Sequence, residues 1–121
     1  MRTSEIKITI GLDEGNIPEQ ITWQATDTGN KPEDTKAFLL GVWDEKERTM
    51  MNINLWNKFM EVPEMKLFAI QLIGGVHDLI LRATGDEKMA EVIATANHKL
   101  VDMFMEEFKP LMNGEEQAPN N

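Results

Sequence analysis

Few residues in this chain have types suited to chemistry. There is no cysteine, serine occurs once, as Ser4, and histidine twice, as His77 and His98. The lack of cysteine rules out disulfides, thiolate metal sites, a cysteine nucleophile and lipid attachment at a cysteine. Ser4 lies near the N-terminus without the G-x-S-x-G context of a hydrolase nucleophile. Neither histidine belongs to HExxH, and no third histidine completes a zinc site. His98 and Asp102 lie one helical turn apart and would form only the edge of a metal site, so two exposed polar residues on a helix flank is the simpler reading. Asp13, Asp27 and Asp34 fall in acidic loops, but none begins a calcium-loop pattern. Gly74-Gly75 sits inside a periodic apolar run rather than between a strand and a helix, so it is no phosphate loop. With 21 acidic residues, carboxylate pairs arise by chance and none stands out for acid-base work. The sequence predicts no catalytic residue, no cofactor site and no metal site.

Charge narrows the partners. Twelve basic residues against 21 acidic ones give a formal net charge of -9. Such a surface repels phosphates, which argues against nucleic acid and anionic membrane and leaves a basic protein as the steered partner, with simple solubility as the plainer reading. The opening MRTSEIKITI is charged and then strand-like, with no long apolar stretch, so it predicts a cytoplasmic protein. At 121 residues the chain reads as one domain.

The elements follow from apolar periodicity. Ile6, Ile8, Ile10 and Leu12 alternate with polar or small residues in a first strand, and Ile21, Trp23 and Ala25 do so in a second. Gly15-Asn16 suits the bend between them, with Pro18 at the strand entrance. Asn30 followed by Glu33 fits a capping box and predicts a helix whose apolar positions run from Ala37 to Trp43, with DEKER at 44 to 48 solvated. Thr49 to Trp56 alternates again as a third strand. Pro63 and Glu64 suit a helix start, and Met65, Phe68, Leu72, Val76, Leu79 and Ala83 hold helical spacing. Gly85 breaks that helix, Asp86 or Thr84 caps the next, and Met89, Val92, Ala96, Met103, Phe104 and Phe108 continue until Pro110.

The fold class expected is therefore α+β, in the order ββαβαα: a small antiparallel-type three-stranded sheet, with strand order 2-1-3, packed against helices, two of them long and C-terminal. Residues 1–112 form the single domain and 113–121 a disordered tail without apolar residues. Gly74-Gly75 in mid-helix suggests close approach by another element.

The nine methionines and three tryptophans suggest contact surfaces instead of catalysis. Met65, Met89 and Met103 fit core stripes, whereas Met50, Met60 and Met105 do not. Trp43 follows the apolar arc of the helix expected at 37–43 and reads as core. Trp56 shares a strand face with Met50, Asn52 and Asn54, so the interaction residues proposed from sequence are Met50, Asn52, Asn54, Trp56 and Met60.

Taken as a set, SEIKITIGLDE, PEQITWQATD, LLGVWDEKE, LWNKFMEVPEMKLF and RATGDEKM resemble the gliding motility-associated protein GldC family of Bacteroidetes, in order and spacing. The resemblance implies a cytoplasmic accessory protein of the gliding machinery, a system linked to the secretion of large surface adhesins. It brings no catalytic motif, and past about residue 90 only a helical pattern matches. It implies as partners other proteins of the gliding or secretion machinery, and a homo-oligomer is a further option. An alternative is an assembly factor or export chaperone for secreted adhesins, since an acidic chain with an antiparallel sheet and two long helices loosely resembles SecB. An enzyme or small-ligand carrier would need an enclosed pocket with convergent polar groups.

Overall fold

The computed structural model describes residues 1–112 and orders them as five strands followed by two helices: β1 (Ile6–Leu12), β2 (Pro18–Ala25), β3 (Glu33–Thr35), β4 (Ala37–Asp44), β5 (Thr49–Trp56), α1 (Val62–Thr84) and α2 (Glu87–Met112). The class is α+β with antiparallel strands and two long C-terminal helices. The expected tail at 113–121 lies outside the described residues. The chain divides into two compact units, Met1–Met60 with the strands and a second that begins at Glu61 with the helices.

In the first unit β1 pairs antiparallel with β2 from Ile6↔Ala25 through Ile10↔Ile21. The bend falls where the turn residues predict it. Asn16 takes the left-handed conformation (φ 64°), Asp13 Oδ1 accepts from the Gly15 and Ile17 amides at 2.8 and 3.0 Å, and β2 begins at Pro18. Ile21, 1% exposed, lies at the centre of this sheet, between Ile10 on β1 and Thr35 on β3.

The structure corrects the element expected to follow. Residues 37–44 are a strand, not a helix, because every one of them pairs with residues 49–56; the supposed cap, the Asn30 side chain, is committed elsewhere. Its Oδ1 accepts from the Ala25 amide (2.9 Å) and the Thr28 hydroxyl (2.6 Å), and its Nδ2 donates to the carbonyls of Lys31 (2.9 Å) and Trp23 (3.3 Å). The amide thus holds the β2–β3 loop in place of a helix N-terminus. Glu33, the other half of the supposed box, pairs with Trp23 as part of β3. The expected order 2-1-3 is corrected with it: β2 is central in the order β1-β2-β3, and the strand at 49–56 pairs with β4 in a sheet of its own.

In the second unit α1 opens after Glu61, whose amide donates to Glu64 Oε1 at 3.0 Å, and closes at Gly85 (φ 72°), whose amide returns to the Leu81 carbonyl. Asp86 Oδ1 then accepts from the Met89 amide at 2.9 Å and caps α2. Phe108 departs from helical geometry two residues before Pro110. The helices pack against each other with Ala90 (2% exposed) and Phe104 (7%) buried, and Lys66 joins Glu107 at 3.0 Å. Met89 and Met103, expected in the core, are 52% and 65% exposed, because only the side of α2 bearing Ala90, Asn97 and Phe104 meets α1. By length and composition α1 also reaches what a membrane crossing requires.

The two mid-helix glycines differ. A Cβ on Gly74 would stand in ordinary contact with Asn97 Nδ2 at 3.6 Å, and one on Gly75 would meet nothing within 4 Å. Close approach is therefore not what requires them. Gly74→Ala is expected to stabilise the protein by up to about 1 kcal/mol through helix propensity. Ile21→Ala should cost about 2–4 kcal/mol, as for other fully buried isoleucines. Chemical denaturation of both variants checks the pair.

Candidate functional site

The sequence on either side of DEKER builds a hairpin. Asp44 and Thr49 are its last pair, and residues 45–48 form the loop. Asp44 Oδ1 accepts from the amides of Lys46 (2.9 Å) and Glu47 (3.0 Å), and its carbonyl accepts from the Arg48 amide (2.8 Å), with Arg48 in the left-handed region (φ 55°). The charged run that resembled a solvated helix end is thus a hydrogen-bonded reverse turn.

Pairing then decides which side chains share a face, because residues opposite one another in an antiparallel ladder project the same way. One face carries Trp43 with Met50, Gly41 with Asn52, Leu39 with Asn54 and Ala37 with Trp56. The other carries Val42 with Met51, Leu40 with Ile53 and Phe38 with Leu55. The structure therefore sets Met50, Asn52, Asn54 and Trp56 on one strand face, while Met60 lies beyond β5 in the following turn, half-buried. Trp43 joins that face and is 64% exposed, which corrects its expected place in the core; Trp56 is 53% exposed. The reason is the element itself: as the penultimate strand residue of β4, Trp43 has no helix arc to bury it.

Gly41 gives the face its relief. A Cβ there would lie 2.8 Å from the Met50 sulfur, so the glycine lets that thioether lie flat across β4. Reading the sequence as a helix hid the opposite face, where Leu40, Val42, Met51 and Ile53 are 38–57% exposed. Its signal was present: two apolar eight-residue runs separated by a short charged loop are a hairpin pattern.

The base of the hairpin is fastened within the same unit. Asn57, 7% exposed, donates its amide to the Lys36 carbonyl at 2.8 Å, and its side-chain oxygen accepts from the Phe59 amide at 2.9 Å. The Lys58 amide donates to the Pro18 carbonyl at 3.0 Å, and Lys58 Nζ lies 2.8 Å from Asp13 and 3.2 Å from Glu19. The β1–β2 loop is thereby tied to the residue two beyond Trp56. The Lys58 ammonium, helped by the Ile17 and Gly15 amides, holds the Asp13 carboxyl below its ordinary 3.8, and Asp13 with Glu19 raises Lys58 above 10.5.

The residues suspected of chemistry are occupied structurally or exposed. The Ser4 hydroxyl donates to Asp27 at 2.7 Å, His77 Nδ1 lies 3.0 Å from Asp78, and His98 and Asp102 are exposed on α2. Among the described residues no group of three or more His, Asp or Glu is placed to hold a metal ion. What the pairing of β4 with β5 assembles is two indoles, a thioether and two amides on one face, and aliphatic side chains on the other.

The comparison with known families bears on the same stretch. The model for gliding motility-associated protein GldC-like matches residues 18–107, which takes in β2 through most of α2 and the whole hairpin. The chain belongs to the GldC-like family. It is thus a gliding motility-associated protein, as the motifs from PEQITWQATD to RATGDEKM suggested. No curated protein and no solved structure matches it significantly.

The ion cluster gives this GldC-like chain a defined pH response. Asp13 has a depressed carboxyl, so its contribution to stability is complete above pH 3.8 and is lost as pH falls through the lower folded value. Lys58 is raised, so its contribution is complete below pH 10.5 and is lost as pH rises through the higher folded value. Carboxyl-detected NMR titration should find Asp13 titrating below 3.8, and Lys58→Met should move it upward.

Proposed function

We propose that this GldC-like protein is a cytoplasmic, non-enzymatic accessory of the gliding machinery that works through protein-protein contacts, with the β4–β5 hairpin as its contact surface. The observation that carries the reading is the exposure of Trp43 and Trp56 on a hairpin whose turn and base are both hydrogen-bonded. Large aromatic side chains held on a rigid strand lose little entropy on binding and dominate interface energies. Asn52 and Asn54, between the two indoles, offer the amide donors and acceptors that set register with a partner. The formal charge of -9 favours a partner with a basic surface and disfavours nucleic acid.

Insertion of α1 in a bilayer fits this chain poorly. A turn of only Gly85 and Asp86 folds α2 back along it, and α2 carries Glu87, Lys88, Glu91, Lys99, Asp102, Glu106 and Glu107. Those charges would have to enter the hydrocarbon beside α1.

The chaperone reading rests on the opposite face of the same hairpin. Phe38, Leu40 and Val42 with Leu55, Ile53 and Met51 form an uncharged strip suited to an extended apolar segment of a secreted adhesin.

The experiment replaces the chromosomal copy in a gliding bacterium. Trp43→Ala with Trp56→Ala is expected to abolish colony spreading at unchanged protein level and unchanged thermal unfolding, with each indole worth about 2 kcal/mol or more of partner affinity. Full motility with both indoles removed would sink the contact-surface reading. If Leu40→Ser and Ile53→Ser instead are the harmful changes, and the purified protein delays aggregation of unfolded adhesin segments, the chaperone reading replaces it.

A further inference from the structure

The α1–α2 hairpin has two unlike faces. On one, Gln71, Asp78, Asn97 and His98 mix with Leu67, Ile70 and Val101 in a groove between the helices. On the other, Ala69 and Ile73 of α1 line a groove with Leu100 and Met103 of α2. Helical spacing extends that second face to Val62 and Val76 on α1 and to Met89, Val92 and Ala96 on α2. These side chains stand open: Val62 is 64% exposed, Val76 42%, Met89 52%, Val92 69% and Met103 65%, with Leu72 (37%) and Leu79 (54%) on the shoulder of α1.

We infer that this face is covered by the same face of a second copy of the chain, the two hairpins closing into a four-helix bundle. Area is the first argument. Taking about 120–150 Å² for each fully exposed aliphatic side chain, the seven leave roughly 500 Å² of apolar surface per hairpin, more than half of the ~800 Å² per partner of a standard stable interface. An open patch of that size stands at the upper end of what monomers carry, where such patches are often functional. Shape is the second: two antiparallel helices with one apolar face are half of a bundle, and a two-fold axis supplies the other half from an identical surface. Charge is the third. The chain is acidic, yet the pair bordering this groove, Lys66 with Glu107 at 3.0 Å, is neutral as a unit, so the chain's acidity is not concentrated there.

The absence of cysteine makes the test clean, because a single introduced thiol reports one position. Val92→Cys on the apolar face and His98→Cys on the mixed face are each treated with a short bismaleimide, and the unmodified full chain is weighed by light scattering over a dilution series. The expected results are a mass twice the 13.8 kDa of the chain and cross-linked dimer at least tenfold more abundant for Val92→Cys than for His98→Cys. A mass of 13.8 kDa at every concentration, or equal cross-linking from both faces, overturns the inference. So does transfer of the protein onto neutral phosphatidylcholine vesicles, which would give the apolar face to a bilayer. None of these outcomes touches the role of Trp43 and Trp56, which lie on a different element.

Discussion

The register of β4 against β5 is the constraint on which the make-up of both hairpin faces depends. Side chains alternate along a strand, so a slip of one residue would exchange the Trp43–Met50–Asn52–Trp56 face for the aliphatic one. Two local devices hold the pairing. At the tip, Asp44 accepts three backbone amides of its own loop, and at the base Asn57 and Lys58 bind the backbone of residues 36 and 18. Both devices lie at the ends of the ladder, outside the apolar positions of either face.

Both units share one property. Each forms regular, well-capped secondary structure and buries very little of it: Ile21 is the fully buried large side chain of the strand unit, and Ala90 and Phe104 serve the helical unit. Helix propensity, caps at Glu61, Gly85 and Asp86, and strand pairing define the backbone, while packing contributes over only one side of each element. The apolar positions left over are ordered along strand faces and helix stripes. Regular spacing of that kind suits contact with other regular surfaces.

The sequence was legible wherever local signals agreed with one another. β1 and β2 announced themselves by alternation with Gly15-Asn16 and Pro18 in place, and α1 and α2 by unbroken helical spacing with Gly85 and Asp86 between them. It misled at residues 37–44, where FLLGVW is apolar at nearly every position and so has no period to read. There Asn30 and Glu33 tipped the reading toward helix, although an asparagine caps a loop as readily as a helix. One wrong element then changed three conclusions: strand order, the place of Trp43, and the partner strand of the predicted site. The four candidates on β5, Met50, Asn52, Asn54 and Trp56, kept their common face, since alternation within a strand does not depend on what the strand pairs with.

The central claim is that the hairpin is formed and yet its indoles are uncovered. The most direct measurement is acrylamide quenching of fluorescence in variants that retain one tryptophan each. The account predicts red-shifted, readily quenched emission from Trp43 and Trp56 and shielded emission from the half-buried Trp23 of β2. Blue-shifted, quencher-resistant emission from Trp43 and Trp56 at every dilution would contradict it, because those side chains would then belong to a core and not to a surface.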